Sequence, residues 1–157
     1  MVGWLTSVFI YRNAGGETIE VKFNVQDEDE DFAQDFEEED EESEEDASNT
    51  GLNFEVTISK GELGSMHARC LASGSGELLV RTVQHLPAGK SASDTDLYEG
   101  PRFDQLSDAL QDGIVNYLED KLIDAELCFF ILAHSAQKEQ KEYENWLNKL
   151  LVFTDSK

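Results

Sequence analysis

Between Gln26 and Ala47 the chain reads DEDEDFAQDFEEEDEESEED, and fifteen of these twenty residues are Asp or Glu. No core can take such a segment. A carboxylate removed from water without a partner is strongly destabilising, and Phe32, Ala33 and Phe36 are nearly all the run has to bury. The ordering entropy cannot be offset, so a disordered acidic loop is expected at 26–50. Whatever folds must come from the sequence on either side. The formal net charge is −22; the run supplies 15 of those negative charges, which leaves −7 for everything else. With residues 27–50 set aside, 133 remain, enough for one core without staples. The whole chain, 1–157, therefore reads as a single domain with an acidic loop inside it.

The flanks show which elements those are. Residues 5–11 (LTSVFIY) read as a strand, followed by the turn signal Asn13-Ala14-Gly15-Gly16. Ile19, Val21, Phe23 and Val25 then alternate with Thr18, Glu20, Lys22 and Asn24. A period of two gives a strand with one buried and one wet face. Beyond the run, Leu52, Phe54, Val56 and Ile58 alternate with Asn53, Glu55, Thr57 and Ser59 in the same way. Residues 65–72 and 77–86 read as a hairpin closed by Ser73-Gly74-Ser75-Gly76. The run is thus a long insertion between two strands of one antiparallel sheet, longer than a hairpin needs.

After a small-residue loop the period changes. Phe103, Leu106, Leu110, Ile114, Tyr117 and Leu118 recur at spacings of three and four, which defines a helical face. Pro101 suits its entrance. Asp124 is placed to cap a second helix, with Glu126 in its first turn. That helix carries Leu127, Phe130 and Ile131, turns polar through AQKEQKE, and becomes amphipathic again at Tyr143, Trp146, Leu147, Leu150 and Leu151. Strands first and helices last mean α+β, with helices on one side of the sheet.

No catalytic motif stands in the chain: there is no GxSxG, P-loop, HExxH or GxGxxG after a strand. His67, His85 and His134 are isolated in sequence, and Cys70 and Cys128 sit among apolar neighbours as core residues do. Asp27, Asp29 and Asp31 alternate as in a calcium loop, but Phe32 occupies the sixth position, where an EF-hand needs Gly. No specific metal and no cofactor are expected. No apolar stretch reaches the ~20 residues that span a bilayer, so an integral membrane protein is not expected. The apolar, alternating N-terminus resembles neither a secretory signal nor an Arg-rich transit peptide. A cytosolic protein, or one whose targeting segment has been removed, fits equally.

Twelve basic residues against 34 acidic ones exclude direct binding of bare RNA or DNA as the leading function, because such binding rests on Lys and Arg neutralising phosphates. Basic proteins are the natural partners of an acidic run, and nucleic acid is reached through them. The candidate partner-binding residues are Asp27, Glu28, Asp29, Glu30 and Asp31, then Asp35, then Glu37, Glu38, Glu39, Asp40, Glu41 and Glu42, then Glu44, Glu45 and Asp46. The alternatives are a purely solvating loop or a divalent-cation buffer without a specific protein partner.

The C-terminal third carries a resemblance. Tyr98-Glu99-Gly100-Pro101, Phe103, Leu106, Leu110-Gln111 and Tyr117-Leu118-Glu119 are followed by Lys138-Glu139, Glu142-Tyr143, Trp146-Leu147, Leu150 and Phe153. This pattern resembles the MAM33/p32 family of mitochondrial acidic matrix proteins, also called the complement C1q-binding protein family. Gly3-Trp4, the stretch Gly16 to Val25 and Phe54-Glu55-Val56 agree more loosely. The resemblance implies a strongly twisted antiparallel sheet of about seven strands flanked by helices, in a ring-shaped homotrimer without enzymatic activity. It also implies a mitochondrial matrix location and basic partners, ribosomal or RNA-processing, in support of mitochondrial translation, ribosome assembly and respiratory-chain maintenance. Two expectations follow for the chain's own residues. The stripe Tyr143, Trp146, Leu150 and Phe153 packs either in the chain's own core, the default for such stripes, or at a subunit boundary. Between the helices, where the family has Arg-Gly-Val/Ile, this chain has Lys121-Leu122-Ile123. Leu is penalised in the left-handed conformation that Gly adopts freely, so the turn differs or the helices run closer to continuous. Family members usually carry a presequence and a helix before the first strand, whereas this sequence starts at its first strand, so a truncated N-terminus is expected.

Overall fold

The computed structural model describes residues 6–29 and 51–156. Five strands follow in chain order: β1 (Ser7–Ala14), β2 (Glu17–Asp29), β3 (Gly51–Ser59), β4 (Ser65–Ala72) and β5 (Leu78–Leu86). Each pairs antiparallel with the next, so the spatial order equals the sequence order. Two helices come after them, α1 (Asp108–Asp120) and α2 (Ala125–Asp155). The α+β architecture expected from the sequence is present, with five strands among the described residues against about seven implied by the resemblance.

Alternation decides which face is buried. Ile19, Val21, Phe23 and Val25 of β2, Leu52, Phe54, Val56 and Ile58 of β3, and Ala68, Cys70 and Ala72 of β4 all turn toward the helices. Leu118, Ile123, Cys128 and Ile131 meet them from α1, the inter-helix turn and α2. The β1–β2 connection needs only two residues, because Gly15 (φ 57°) and Gly16 (φ 85°) both take positive φ between the paired Ala14 and Glu17. That turn matches the right-handed twist of its strands. Irregularities between Phe23 and Glu28 and between Arg69 and Cys70 interrupt the register. At the second, Arg81 is the extra residue, and such bulges bend the strand that carries them.

Pro101 does not open α1. It precedes a single 3-10 turn at Phe103–Gln105, and α1 starts at Asp108, where the Ser107 hydroxyl accepts from the Leu110 N–H. The side chain of Asp124 caps α2 as expected, accepting from Leu127 N–H at 3.1 Å.

Between the helices Leu122 stands at φ 63°. The Leu122 N–H donates to Glu119 O and the Ile123 N–H to Leu118 O, the paired bonds of a Schellman helix end. The two helices are therefore not continuous, and the turn keeps a left-handed residue despite the side chain. What holds it is the apolar contact that accompanies this motif: Leu118 and Ile123 are both buried in the core, while Leu122 itself is 57% exposed. Leu122→Gly is expected to stabilise the protein by about 0.5–1 kcal/mol, the left-handed penalty less the extra unfolded-chain entropy of Gly. A thermal melt should show this as a rise of about 2–3 °C in Tm; an unchanged or lower Tm would mean that Leu122 contributes packing worth more than its strain.

Candidate functional site

The acidic run is rooted in the sheet. Glu28 pairs with Leu52 and Asp29 with Gly51, so the described residues on either side of 30–50 lie side by side at one end of β2 and β3. Of the acidic candidates, Asp27, Glu28 and Asp29 belong to β2. Glu30, Asp31, Asp35 and the acids from Glu37 to Asp46 lie outside the described residues.

At the opposite end of those strands a different electrostatic feature fastens the helices. Glu17, beside the β1–β2 turn, accepts from Lys121 Nζ at 2.5 Å and forms an ion pair with Lys60 Nζ at 2.9 Å. Both ammonium groups also stand over the ring of Tyr117, at 5.2 and 5.5 Å from its centroid. The hydrogen bonds from Lys121 and Lys60 hold the Glu17 carboxyl below its usual value. A carboxyl depressed by folding stabilises above its unfolded pKa, and that stability is lost as pH falls through the folded value. Glu17→Gln is therefore expected to lower Tm at neutral pH. The gap between wild type and variant should close below about pH 4; a gap constant with pH would show that the clamp is not ionic.

The second half of α2 leaves the body of the molecule. Its buried residues end at Ser135. Beyond it Tyr143, Trp146 (48% exposed), Leu150 and Phe153 (79% exposed) are open, together with Leu147, Leu151 and Val152. None of the four candidate interface residues lies in this chain's own core, against the default expectation for such a stripe. Periodicity alone had shown an apolar face but not what faces it. The Tyr143 and Trp146 rings stack at 5.9 Å.

The histidines do not gather. His67 is buried, with Nδ1 3.0 Å from Thr57 Oγ1, and burial lowers its pKa. His85 Nε2 contacts Leu63 O at 3.0 Å. His134 stacks on Phe130 and meets Phe23 edge-on. Cys70 and Cys128 are free, buried thiols, both pushed up to about 12 by burial. Such thiols are inert at neutral pH. Among the described residues no three His, Cys, Asp or Glu side chains are placed to hold a metal ion, and no helix is long and apolar enough to cross a membrane.

Sequence reading missed one feature. The sheet face turned away from the helices is hollowed into an open groove of about 980 Å³. Lys22, Arg69, Arg81 and Arg102 line it with Glu55 and Asp104. Ser7, Asn24, Asn53 and Thr82 add neutral polar groups. A bridge between Thr82 and Arg102 brings the loop after β5 back along the sheet edge as one wall.

Residues 5–154 match the family MAM33, described as mitochondrial glycoprotein. The mitochondrial acidic protein mam33 of Schizosaccharomyces pombe is 45% identical over 56 residues, which are 36% of this chain and 21% of that protein. The matched stretch thus spans about a fifth of the relative's length. Among solved structures, a Leishmania major protein of unknown function, described as a sequence homologue of human p32, superposes with a TM-score of 0.73. It is 22% identical, and the match covers 94% of this chain and 76% of that one.

Proposed function

The chain belongs to the MAM33 family, and from that premise we propose that it is a non-enzymatic acidic scaffold of the mitochondrial matrix that binds basic proteins. Its clients are basic ribosomal or RNA-processing proteins, which places it in support of mitochondrial translation, ribosome assembly and the respiratory chain. Nucleic acid is reached through those clients. One observation carries the reading. Fifteen carboxylates stand within the twenty residues 27–46, and the strand positions that bracket residues 30–50, Asp29 and Gly51, are paired neighbours. Carboxylates so dense in sequence give a field of one sign, which steers basic partners and raises their rate of encounter. The test is capture from mitochondrial extract at low and at physiological ionic strength, comparing the intact chain with one lacking residues 27–46. Basic partners should be lost with the run; their retention on the shortened chain overturns the reading.

The assembly proposed with this function is a homotrimer whose subunit boundaries take in Tyr143, Trp146, Leu150 and Phe153. Their support is the exposed apolar stripe on α2, since patches of this kind mark association surfaces. Burying it would also offset the mutual repulsion of three acidic runs. Trp146→Asp combined with Phe153→Asp is expected to shift the mass in solution from trimer to monomer while the sheet's circular dichroism stays intact. A wild-type chain that is monomeric, or a variant that stays trimeric, rejects this boundary.

A further inference from the structure

One row of residues crosses the groove at right angles to the strands. Register places Phe9 opposite Lys22, Lys22 opposite Glu55, Glu55 opposite Arg69, and Arg69 opposite Thr82, which bridges to Arg102. The order is therefore aromatic, cation, carboxylate, cation, hydroxyl, cation. Lys22 Nζ stands 5.9 Å from the centroid of the Phe9 ring. Glu55 lies 4.0 Å from Arg69 Nε, a loose pair, and Arg102 Nη2 lies 2.7 Å from Asp104. Behind Glu55, His67 is only 4% exposed, and its Nε2 has no hydrogen-bond partner while standing 4.0 Å from Glu55 Oε1. A third of the chain's 12 basic residues are gathered here in a molecule of net charge −22.

We infer that this groove is a docking site for an extended acidic peptide whose carboxylates recur at every third residue. The spacing comes from the sheet. Lys22 and Arg69 stand two strands apart, Arg69 and Arg102 two ladder positions apart, and each step is about 4.8 Å, so successive cations are about 10 Å from one another. An extended peptide in the polyproline II form advances about 3.1 Å per residue with three residues per turn, so every third side chain returns to the same face after about that distance. Guanidinium groups bind carboxylates in pairs of parallel hydrogen bonds, and the amides and hydroxyls at Asn24, Asn53 and Thr82 suit a peptide backbone. The interleaved Glu55 and Asp104 disfavour a uniformly charged strand such as single-stranded nucleic acid, which would place phosphates beside them. The groove calls for a partner of opposite charge to the run's clients.

The test is fluorescence anisotropy of the full chain at low ionic strength with two labelled peptides of equal composition. One carries Glu at positions 1, 4 and 7 among Ser and Thr, and the other carries three adjacent Glu. The spaced peptide should bind severalfold more tightly. Arg69→Gln and Arg102→Gln, both at solvent-exposed side chains, should each weaken it about tenfold, the loss of one charge-assisted hydrogen bond. Lys138→Gln on α2 serves as the control and should leave it unchanged. Absence of binding, equal binding of the two peptides, or indifference to the arginine variants overturns the proposal. So does a single-stranded oligothymidylate that displaces the spaced peptide at lower concentration than unlabelled peptide does. None of these readouts uses a basic partner, so failure here leaves the role of the acidic run standing, and failure there leaves the groove.

Discussion

Replacing Phe54 with alanine is expected to destabilise the protein by about 3–5 kcal/mol, a large part of the roughly 5–15 kcal/mol that holds a domain folded. Phe54 sits on β3, the middle strand of five, opposite Phe23 on one side and Cys70 on the other. It is 2% exposed and belongs to the cluster that unites β2, β3 and β4 with Leu118, Cys128 and Ile131 of the helices. Its neighbours are themselves fixed in strands, so they cannot close over the gap, and the cavity term adds to the lost transfer energy. Urea titration should show a much lower midpoint with little change in slope. Phe9→Ala supplies the comparison: that ring is half exposed at the β1 edge, and its loss should cost less than about 1 kcal/mol. Similar costs for the two would mean that the core does not lie between sheet and helices.

Converting the twelve carboxylates of residues 30–46 to their amides is expected to slow association with a purified basic partner by about 10–1000-fold at low ionic strength. The strands are untouched, because β2 ends at Asp29 and β3 begins at Gly51. The effect should shrink as salt is added, since exposed charges are screened beyond roughly 8 Å under physiological conditions. Stopped-flow association rates across a salt series measure both. A wild-type rate that ignores salt, or an amide variant that associates equally fast, would move the partner surface to the sheet or to α2. Stability should rise slightly if it changes at all, because the substitutions remove self-repulsion.

What could be read from residues and what could not follows a physical line. β2 and β3 were legible because Ile19, Val21, Phe23 and Val25, and then Leu52, Phe54, Val56 and Ile58, alternate without a break, and each of them is buried. Asp124 was legible as a cap because its short carboxylate stands just before an amphipathic run. The start of α1 was misplaced at Pro101, since Phe103 and Leu106 share the helical spacing, although a 3-10 turn and the Ser107 cap intervene. Leu122 was opaque for a sharper reason. Its own preference opposes the turn, and the paired backbone bonds together with the burial of Leu118 and Ile123 on either side hold it there. The groove was out of reach of any local pattern. Lys22, Arg69 and Arg102 are spread over some eighty positions, and register across the sheet is what sets them in one row.

The sequential order of the strands has a kinetic consequence. A sheet in which every strand pairs with its chain neighbour can assemble from two local pieces. One is the tight β1–β2 hairpin, and the other is the β3–β4–β5 meander. Only the seam between β2 and β3 must wait for a long closure, across the residues separating Asp29 from Gly51. That closure grows costlier only with the logarithm of length, about 0.6 kcal/mol for each doubling. The delay falls on a single late step, while the two pieces form at rates set by their own short separations. Lengthening or shortening the run would then retime one joint of the folding reaction and leave the native sheet almost as stable, so the number of carboxylates is free to change without rebuilding the protein beneath them.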